Sequence, residues 1–226
     1  MIERNKLVFF DFCETLIKFQ TADKYVDFCR SKLHTRRMNI LQIIAQILTK
    51  SYCFRIINKF IPNNTIRKRL ILNQLQGIEY TVLDNLAKEY YEQCLKPAII
   101  PQVMERLSMH LQSKDKVWII SGGYNIYIKY FVNEYCLSGY ISTNIAFTKE
   151  GISLGYFDGV DCMRENKVHL IREKFKEVLD EMDSVAYSDS ASDLPLLLMA
   201  TVGYVVSKYS SQEWVVRNNL KELIWK

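Results

Sequence analysis

The sequence predicts an α/β protein with a doubly wound parallel sheet and an inserted all-helical segment. Short, unbroken apolar runs such as residues 7–10 are typical of strands buried on both faces of a parallel sheet. From residue 98 onward, strand and helix patterns alternate with short connections, as parallel sheets require. Residues 18–97 show helical patterns and no strand candidate. We therefore predict a core domain of residues 1–17 and 98–226 and a helical domain of residues 18–97.

Length and composition fit a globular protein of this kind. A chain of 226 residues accommodates one large domain, or a core with a smaller insert. Its 49% apolar and 24% charged residues are ordinary for soluble proteins. The net charge of +5 does not by itself indicate nucleic-acid binding, and we expect none. Residues 18–97 hold 14 Lys and Arg against six Asp and Glu. We interpret this excess as a solvated basic surface, with attraction of an anionic substrate as the alternative.

The cysteines and the start of the chain bear on location. The six cysteines are scattered without a CxxC pair. The basic segment followed by an apolar run that is typical of a signal peptide is not expected here, since Glu3 and Asn5 occupy positions where the apolar run would begin. These features predict free thiols in a reducing cytoplasm.

Five strands are predicted, each from a short apolar run. The first is residues 7–10, and the others are residues 117–120, 141–146, 184–187 and 202–206. Residues 147–157 resemble a β-hairpin that turns at Lys149-Glu150-Gly151. Helices are predicted between the strands, over residues 102–112, 124–135, 167–175 and 193–199.

The helical segment contains one strongly apolar stretch, residues 38–48. Charged residues interrupt it before the roughly 20 apolar residues of a membrane span accumulate. It could be a helix buried in a small bundle, which we favour, or an amphipathic helix in contact with lipid. A turn at Pro62-Asn63-Asn64-Thr65 leads into a further predicted helix over residues 66–75.

Polar residues follow three of the predicted strands. These are Asp11, Ser121-Gly122-Gly123, and Ser188-Asp189 with Asp193, and Lys167 follows the hairpin. Open α/β sheets place ligands at the carboxyl ends of their strands. Acidic pairs suit Mg²⁺, a Ser-Gly-Gly turn offers a hydroxyl and backbone N–H groups to an anion, and a lysine adds positive charge. Each piece alone fits a helix cap, a plain turn or a solvated side chain, but together they indicate phosphoryl transfer through an aspartyl-phosphate.

Four segments carry a family resemblance. Residues 9–16, Phe-Phe-Asp-Phe-Cys-Glu-Thr-Leu, resemble the first motif of the haloacid dehalogenase-like (HAD) superfamily, and Ile119-Ile120-Ser121-Gly122 resembles the second. Asn166-Lys167 resembles the third, and residues 187–197 resemble the fourth motif of its phosphoserine-phosphatase-like branch. The resemblance implies a Rossmann-like core and makes residues 18–97 a helical cap domain.

The resemblance also implies roles for individual residues. Asp11 would be the nucleophile and a Mg²⁺ ligand, and Asp189 a second ligand. Asp193 would also belong to the metal site, as a ligand or by orienting a metal-bound water or Lys167. The backbone carbonyl of Cys13 would complete the protein's metal ligands. Phosphate would be bound by a set of residues on both sides of the nucleophile: Ser121, Gly122 and Lys167, with Thr15 holding the first-motif loop. The expected activity is Mg²⁺-dependent hydrolysis of a small-molecule phosphate ester.

Three positions depart from the family pattern. Cys13 replaces a second aspartate that serves as general acid and base. A thiol has an ordinary pKa of about 8.5 rather than about 4, so Cys13 is a poor general base near neutral pH. Glu14 replaces a glycine, and Gln20 replaces the glutamate of phosphoserine-specific members, which argues against phosphoserine as the substrate. The basic, apolar-rich helical segment would better suit a phosphate on a bulkier organic group, such as a sugar or a lipid. Two alternatives remain open: a catalytically weak protein that binds a phosphorylated ligand or partner, and a phosphotransferase.

Overall fold

The computed structural model describes residues 5–34, 38, 40, 41, 43, 44, 65–176, 178, 179, 181–208 and 212–225. The predicted apolar stretch of residues 38–48 lies largely outside the described residues, as do positions 62–64 of the predicted turn.

Seven strands form a single sheet in the order β4-β3-β2-β1-β5-β6-β7. They are β1 (Leu7–Phe10), β2 (Lys116–Tyr124), β3 (Gly139–Phe147), β4 (Ser153–Asp158), β5 (Ser184–Ser188), β6 (Val202–Lys208) and β7 (Lys221–Trp225). All neighbours are parallel except β3 and β4, which form the predicted antiparallel hairpin. The register pairs Phe10 of β1 with Ile119 of β2 and Tyr187 of β5. The carboxyl ends of these three strands therefore meet at one edge of the sheet.

Eight α-helices with complete bounds lie within the described residues and accompany the sheet. They are α1 (Thr21–Leu33), α2 (Thr65–Leu72), α3 (Tyr80–Tyr90), α4 (Pro101–Gln112), α5 (Asn125–Glu134), α6 (Glu165–Phe175), α7 (Leu194–Met199) and α8 (Glu213–Arg217). Shorter helical turns span Asn73–Leu75, Tyr91–Leu95, Lys96–Ala98 and Ala191–Asp193. In the described residues between Gln20 and Ile99, every regular element is helical. None of the described helices combines the length and apolar character that crossing a bilayer requires.

The central strand is buried on both faces, as its continuous apolar run predicts. Val8 and Phe10 belong to one hydrophobic cluster, which includes side chains of α4, α5 and the helical segment. Leu7 and Phe9 belong to a second cluster on the opposite face, with side chains of α6, α7 and α8. Helices thus cover both faces of a mainly parallel sheet, which confirms the predicted fold class. The boundaries of the core and cap domains remain predictions.

Two details differ from the predicted elements. The sequence analysis did not predict α8 and β7, because β7 is a five-residue edge strand whose Lys221-Glu222-Leu223-Ile224-Trp225 sequence lacks an apolar run. Strand β2 also does not end before Ser121 but continues to Tyr124, so Ser121-Gly122-Gly123 forms the last part of a strand. Its pairing with β3 is irregular between Ser121 and Tyr124, which is where the chain bends toward α5.

The helical segment is attached to the hairpin by backbone hydrogen bonds. The N–H of Gly77 donates to the Ser153 carbonyl at 2.8 Å, and the N–H of Ser153 donates to the Ile78 carbonyl at 2.8 Å. The N–H of Tyr80 donates to the Gly151 carbonyl at 2.7 Å. Tyr25 of α1 donates its hydroxyl to the Leu83 carbonyl at 2.8 Å, within the same segment. These contacts place α1 and α2 beside the strand ends described above.

Candidate active site

A cavity of about 380 Å³ lies where the carboxyl ends of β1, β2 and β5 meet the helical segment. Seven residues that the sequence predicted as site residues line it: Asp11, Cys13, Ser121, Gly122, Lys167, Asp189 and Asp193. Thr15 is fully buried behind the cavity, hydrogen-bonded to its acidic residues. The structure therefore brings together all the predicted site residues, although they span 183 positions of the sequence, from 11 to 193.

Lys167 joins two carboxylates in the floor of the cavity. Its ammonium group donates to Asp11 Oδ1 and to Asp193 Oδ2, each at 2.6 Å, and Lys167 is only 3% exposed. Burial acts to lower the pKa of Lys167, but the charges of Asp11 and Asp193 outweigh it and hold that pKa above its usual range. Asp193 is fixed further by the Ser188 hydroxyl, which donates to its Oδ2 at 2.7 Å. Lys167 is therefore a fixed positive charge beside Asp11.

Asp11 lies directly after β1, and its N–H extends the ladder by donating to the Tyr187 carbonyl at 2.9 Å. Burial raises the pKa of Asp11 to about 6, and the charge of Lys167 opposes this rise. A carboxylate that is buried but accessible from a cavity is poorly solvated and held in one position. These are the properties of an activated nucleophile.

Thr15 connects Asp11 to Asp189. The Thr15 hydroxyl lies 3.3 Å from Asp11 Oδ2 and 3.0 Å from Asp189 Oδ1, and it accepts a hydrogen bond from the Asp189 N–H at 3.0 Å. Burial, followed by the charge of Asp11, raises the pKa of Asp189 to about 7. Two carboxylates thus converge on one hydroxyl group in a poorly solvated place.

This arrangement fits a magnesium ion. Mg²⁺ prefers oxygen ligands and keeps several waters, so two carboxylates and a backbone carbonyl are enough protein ligands. A cation between Asp11 and Asp189 would relieve the repulsion that raises the pKa of Asp189. Among the described residues, no three His, Cys, Asp or Glu side chains form a metal-binding group. Asp193 is engaged by Lys167 and Ser188, which favours a role in orienting Lys167; its role as a metal ligand stays a prediction.

The end of β2 supplies a polar and closely packed wall. Ser121 is fully buried, and its Oγ accepts a hydrogen bond from the Gly123 N–H at 3.1 Å. A Cβ atom on Gly122 would lie 2.7 Å from Met163 Cγ, so the absence of a side chain allows the loop before α6 to approach. Gly122 itself is half-buried and lines the cavity, where the residues of an anion site would lie.

Cys13 is held by hydroxyl groups. Its Sγ lies 3.0 Å from Thr21 Oγ1 and 3.9 Å from Ser121 Oγ. Thr21 Oγ1 in turn lies 2.7 Å from the Tyr127 hydroxyl. Burial, together with the charge of Asp11, raises the pKa of Cys13 to about 11. The thiol is therefore protonated near neutral pH: it can donate a hydrogen bond but is a poor general base.

The cavity also has residues that the sequence analysis did not assign to it. Arg67 and Lys68 of α2 line the wall, and Arg67 forms an ion pair of 2.5 Å with Asp23 of α1. The basic excess of residues 18–97 was the available signal, but we interpreted it as a solvated surface. Position in the sequence could not show that Arg67 and Lys68 face the cavity while Arg69 is exposed.

At the mouth of the cavity, Gln20 donates a hydrogen bond from Nε2 to Glu14 Oε2 at 2.5 Å. The two residues that depart from the family pattern on this side are therefore partners of each other. Glu14 adopts a left-handed backbone conformation, with a φ angle of 57°.

Comparison with known proteins identifies the family. A sequence model described as haloacid dehalogenase-like hydrolase matches residues 8–198, which contain every site residue named above. The chain belongs to the haloacid dehalogenase-like hydrolase family. This confirms the family that the four motifs predicted.

Individual relatives add to this family assignment. The phosphoserine phosphatase SerB1 of Mycobacterium tuberculosis (strain ATCC 25618 / H37Rv) is 25% identical to this haloacid dehalogenase-like chain over 208 residues, or 91% of the chain. The chain spans 66% of the length of that relative. The similarity confirms the predicted likeness to the phosphoserine-phosphatase-like branch.

Solved structures agree on the fold. A protein of unknown function from Bordetella pertussis Tohama I superimposes with a TM-score of 0.81 at 18% identity, covering 97% of this chain and 99% of that one. A phosphoserine phosphatase in its apo form superimposes with a TM-score of 0.64 at 15% identity, covering 99% of this haloacid dehalogenase-like chain and 94% of that one. At these identities the likeness establishes the fold alone.

Proposed function

We propose that the protein is a Mg²⁺-dependent phosphomonoester hydrolase that acts through an aspartyl-phosphate on a small organic phosphate. The observation that carries this proposal is the environment of Asp11. Its carboxylate is buried, lies 2.6 Å from the Lys167 ammonium and lines the same cavity as Ser121, Gly122 and Asp189. Membership in a hydrolase family and similarity to a phosphoserine phosphatase support the proposal.

In the proposed reaction, an Asp11 oxygen attacks phosphorus while the bond to the ester oxygen breaks. Lys167, Ser121 and the backbone N–H of Gly122 would hold the phosphoryl oxygens. Mg²⁺, held by Asp11, Asp189 and the Cys13 carbonyl, would neutralise phosphate charge that otherwise repels the nucleophile. Water then attacks phosphorus, which releases inorganic phosphate and restores the Asp11 carboxylate.

Cys13 would act unequally in the two steps. Its raised pKa keeps the proton on sulfur, so the thiol can donate a hydrogen bond to the leaving oxygen, which takes its proton from solvent. The thiol is then still protonated when water attacks and cannot remove a proton from that water. Loss of general acid–base assistance typically costs roughly 10²–10⁴ in rate. We therefore expect dephosphorylation of Asp11 to be slow. This expectation also favours a second candidate function, a phosphotransferase whose acceptor is more nucleophilic than water.

The cavity favours a substrate other than phosphoserine. Gln20 cannot offer a carboxylate to an amino group, and it is already bonded to Glu14. Arg67 and Asp23 line the wall as an ion pair of 2.5 Å, which offers polar groups of both signs to a larger organic group. A phosphate on a bulkier organic group, such as a sugar or a lipid, suits this wall better. A substrate panel in which phosphoserine is by far the best substrate would contradict this part of the proposal.

The deciding experiment is Mg²⁺-dependent hydrolysis of an aryl phosphate by the wild type, Asp11→Asn and Cys13→Asp. An aryl leaving group needs little protonation, so it tests the nucleophile separately from Cys13. We expect activity in the wild type, at least a 10³-fold loss in Asp11→Asn and a gain of 10-fold or more in Cys13→Asp. Equal activity in the wild type and Asp11→Asn would overturn the proposed nucleophile. Activity found only in Cys13→Asp would favour a binding or phosphotransfer role.

A further inference from the structure

Lys68 is a buried lysine from the helical segment that reaches the end of β2. Its ammonium group donates to the Gly122 carbonyl at 2.6 Å and to Thr143 Oγ1 at 3.1 Å, and it forms a short ion pair with Asp161. Lys68 and Asp161 are 8% and 7% exposed, respectively. An ammonium group has three N–H donors, and here each has a protein acceptor.

This complete pairing sets Lys68 apart from a phosphate ligand. Its charge is balanced by Asp161, whose Oδ1 also accepts a hydrogen bond from the Thr143 hydroxyl at 2.7 Å. Thr143 in turn accepts one from the Cys162 N–H at 3.1 Å. A phosphate could take a hydrogen from Lys68 only if one of these contacts broke, which is costly for buried groups. Lys68 therefore lines the cavity, but all three of its N–H donors bind protein acceptors.

The partners of Lys68 lie in both segments that would hold phosphate. Gly122 belongs to the end of β2, and Asp161 begins the loop that leads into α6 and Lys167. The Asp161 carbonyl accepts hydrogen bonds from the Met163 N–H at 2.8 Å and from Asn166 Nδ2 at 2.9 Å. The loop that Lys68 contacts is thus bonded to the residue immediately before Lys167.

We propose that Lys68 is a positioning residue that couples the docking of the helical segment to the geometry of the phosphate-binding residues. With Lys68 in place, its ammonium group holds the Gly122 carbonyl and the loop before Lys167 together, in one wall of the cavity. Without the Lys68 ammonium group, neither the Gly122 carbonyl nor the loop before Lys167 is held in position, although the nucleophile and the metal ligands are unchanged. The inference rests on the proposed function, because it assumes that the cavity binds phosphate.

The test compares Lys68→Met, the double variant Lys68→Met/Asp161→Asn and a control. Lys68→Met alone leaves Asp161 buried without its cation and could fail to fold, so the double variant, which removes both charges, is the main comparison. Lys88→Met is the matched control, since Lys88 is an exposed lysine of α3 in the same segment. Thermal unfolding establishes that each variant is folded.

Two readouts are measured. With an aryl phosphate as substrate, we expect the double variant to raise KM and the inhibition constant of inorganic phosphate at least 10-fold, with kcat changed less than 3-fold. In amide hydrogen exchange, residues 121–124 and 159–166 should become less protected together, by 10-fold or more. Lys88→Met should change neither readout. A folded double variant with wild-type phosphate inhibition, or with wild-type protection of both segments, overturns the inference.

The hydrogen-exchange readout needs no turnover, so the two proposals can fail separately. A wild type that neither hydrolyses the aryl phosphate nor binds inorganic phosphate in the presence of Mg²⁺ contradicts the proposed function, and with it the phosphate half of the inference. If the wild type is active but hydrogen exchange in the double variant is unchanged, only the proposed role of Lys68 is contradicted, and the proposed function stands.

Discussion

Glu14 occupies a backbone conformation that glycine adopts without cost. Its φ angle of 57° places it in the left-handed region, at the position where the family resemblance places a glycine. The left-handed region costs a residue with a Cβ atom roughly 1–2 kcal/mol. The hydrogen bond to Gln20 is partly solvent-exposed and offsets only part of this cost.

We expect Glu14→Gly to be about 1 kcal/mol more stable than Glu14→Ala. Both variants lose the charge and the bond to Gln20, so the difference reports the backbone conformation alone. Urea unfolding of the two variants measures it. Equal free energies of unfolding would show that residue 14 changes conformation when its side chain is removed.

Cys13 shows what the sequence could and could not reveal at the residue scale. The substitution is visible in the first motif, and the ordinary pKa of a thiol already predicts a weak general base. The environment of the thiol is not visible, because its partner Thr21 belongs to α1 and is itself bonded to Tyr127 of α5, and these groups meet only in the folded chain. The burial that raises the pKa of Cys13 to about 11 likewise depends on tertiary packing.

At the scale of elements, α7 packs closely on β6 at Gly203. A Cβ atom there would lie 2.6 Å from the Leu197 carbonyl oxygen and 2.8 Å from Leu220 Cδ2. Helix α7 directly follows Asp193, so this contact also places the N-terminal end of the helix beside the cavity.

We expect Gly203→Ala to lower the free energy of unfolding by about 1–3 kcal/mol, because the new methyl group must displace backbone atoms of α7. Denaturant unfolding measures this loss. A change below about 0.5 kcal/mol would show that α7 can shift away from β6 at little cost. A normal slope of free energy against denaturant would confirm that the unfolded state is unaffected.

The elements themselves were largely predictable. Strands β1, β2 and β5 are apolar runs buried on both faces, and their pattern identifies them without knowledge of their neighbours. Strand β7 is an edge strand that pairs with β6 only, and its three consecutive apolar residues, Leu223 to Trp225, are too few for the apolar run of a buried strand. The extension of β2 through Ser121-Gly122-Gly123 was not predicted, because glycines normally indicate a turn. Here the two glycines form an irregularity between the pairs that Ser121 and Tyr124 make with β3.

At the scale of the whole molecule, the acidic pair links metal binding to stability. Asp11 is buried and Asp189 is half-buried, and both contact the Thr15 hydroxyl, so folding without a bound metal brings two carboxylates into a poorly solvated place. A ligand that binds only the folded state adds about 2.7 kcal/mol when present at 100 times its dissociation constant.

We therefore expect saturating Mg²⁺ to raise the Tm of the wild type by roughly 5–10 °C, and chelation to reverse the shift. Asp189→Asn removes one repelling charge, so it should be at least as stable as the wild type in the presence of a chelator and gain less than about 2 °C from Mg²⁺. Differential scanning calorimetry measures both. An equal Mg²⁺ shift in the two proteins would place the metal elsewhere.

The composition of the cavity wall is the part of the site that sequence could not predict. The strand-end residues share an edge because parallel strands must align their carboxyl ends. No comparable rule places α2, whose Arg67 and Lys68 reach the cavity through contacts between the helical segment and the core. Those contacts include backbone hydrogen bonds to the hairpin, which carry no side-chain signature.

The hairpin contacts have a consequence for how molecules enter and leave. The three hydrogen bonds between residues 77–80 and 151–153 attach the helical segment to the core at a point separate from its two chain connections. Rotation of the whole segment would break all three, whereas the side chains of Gln20 and Arg67 can move without disturbing them. Admission of substrate is then expected on the nanosecond timescale of side-chain rearrangement rather than the microsecond-to-millisecond timescale of hinge motion.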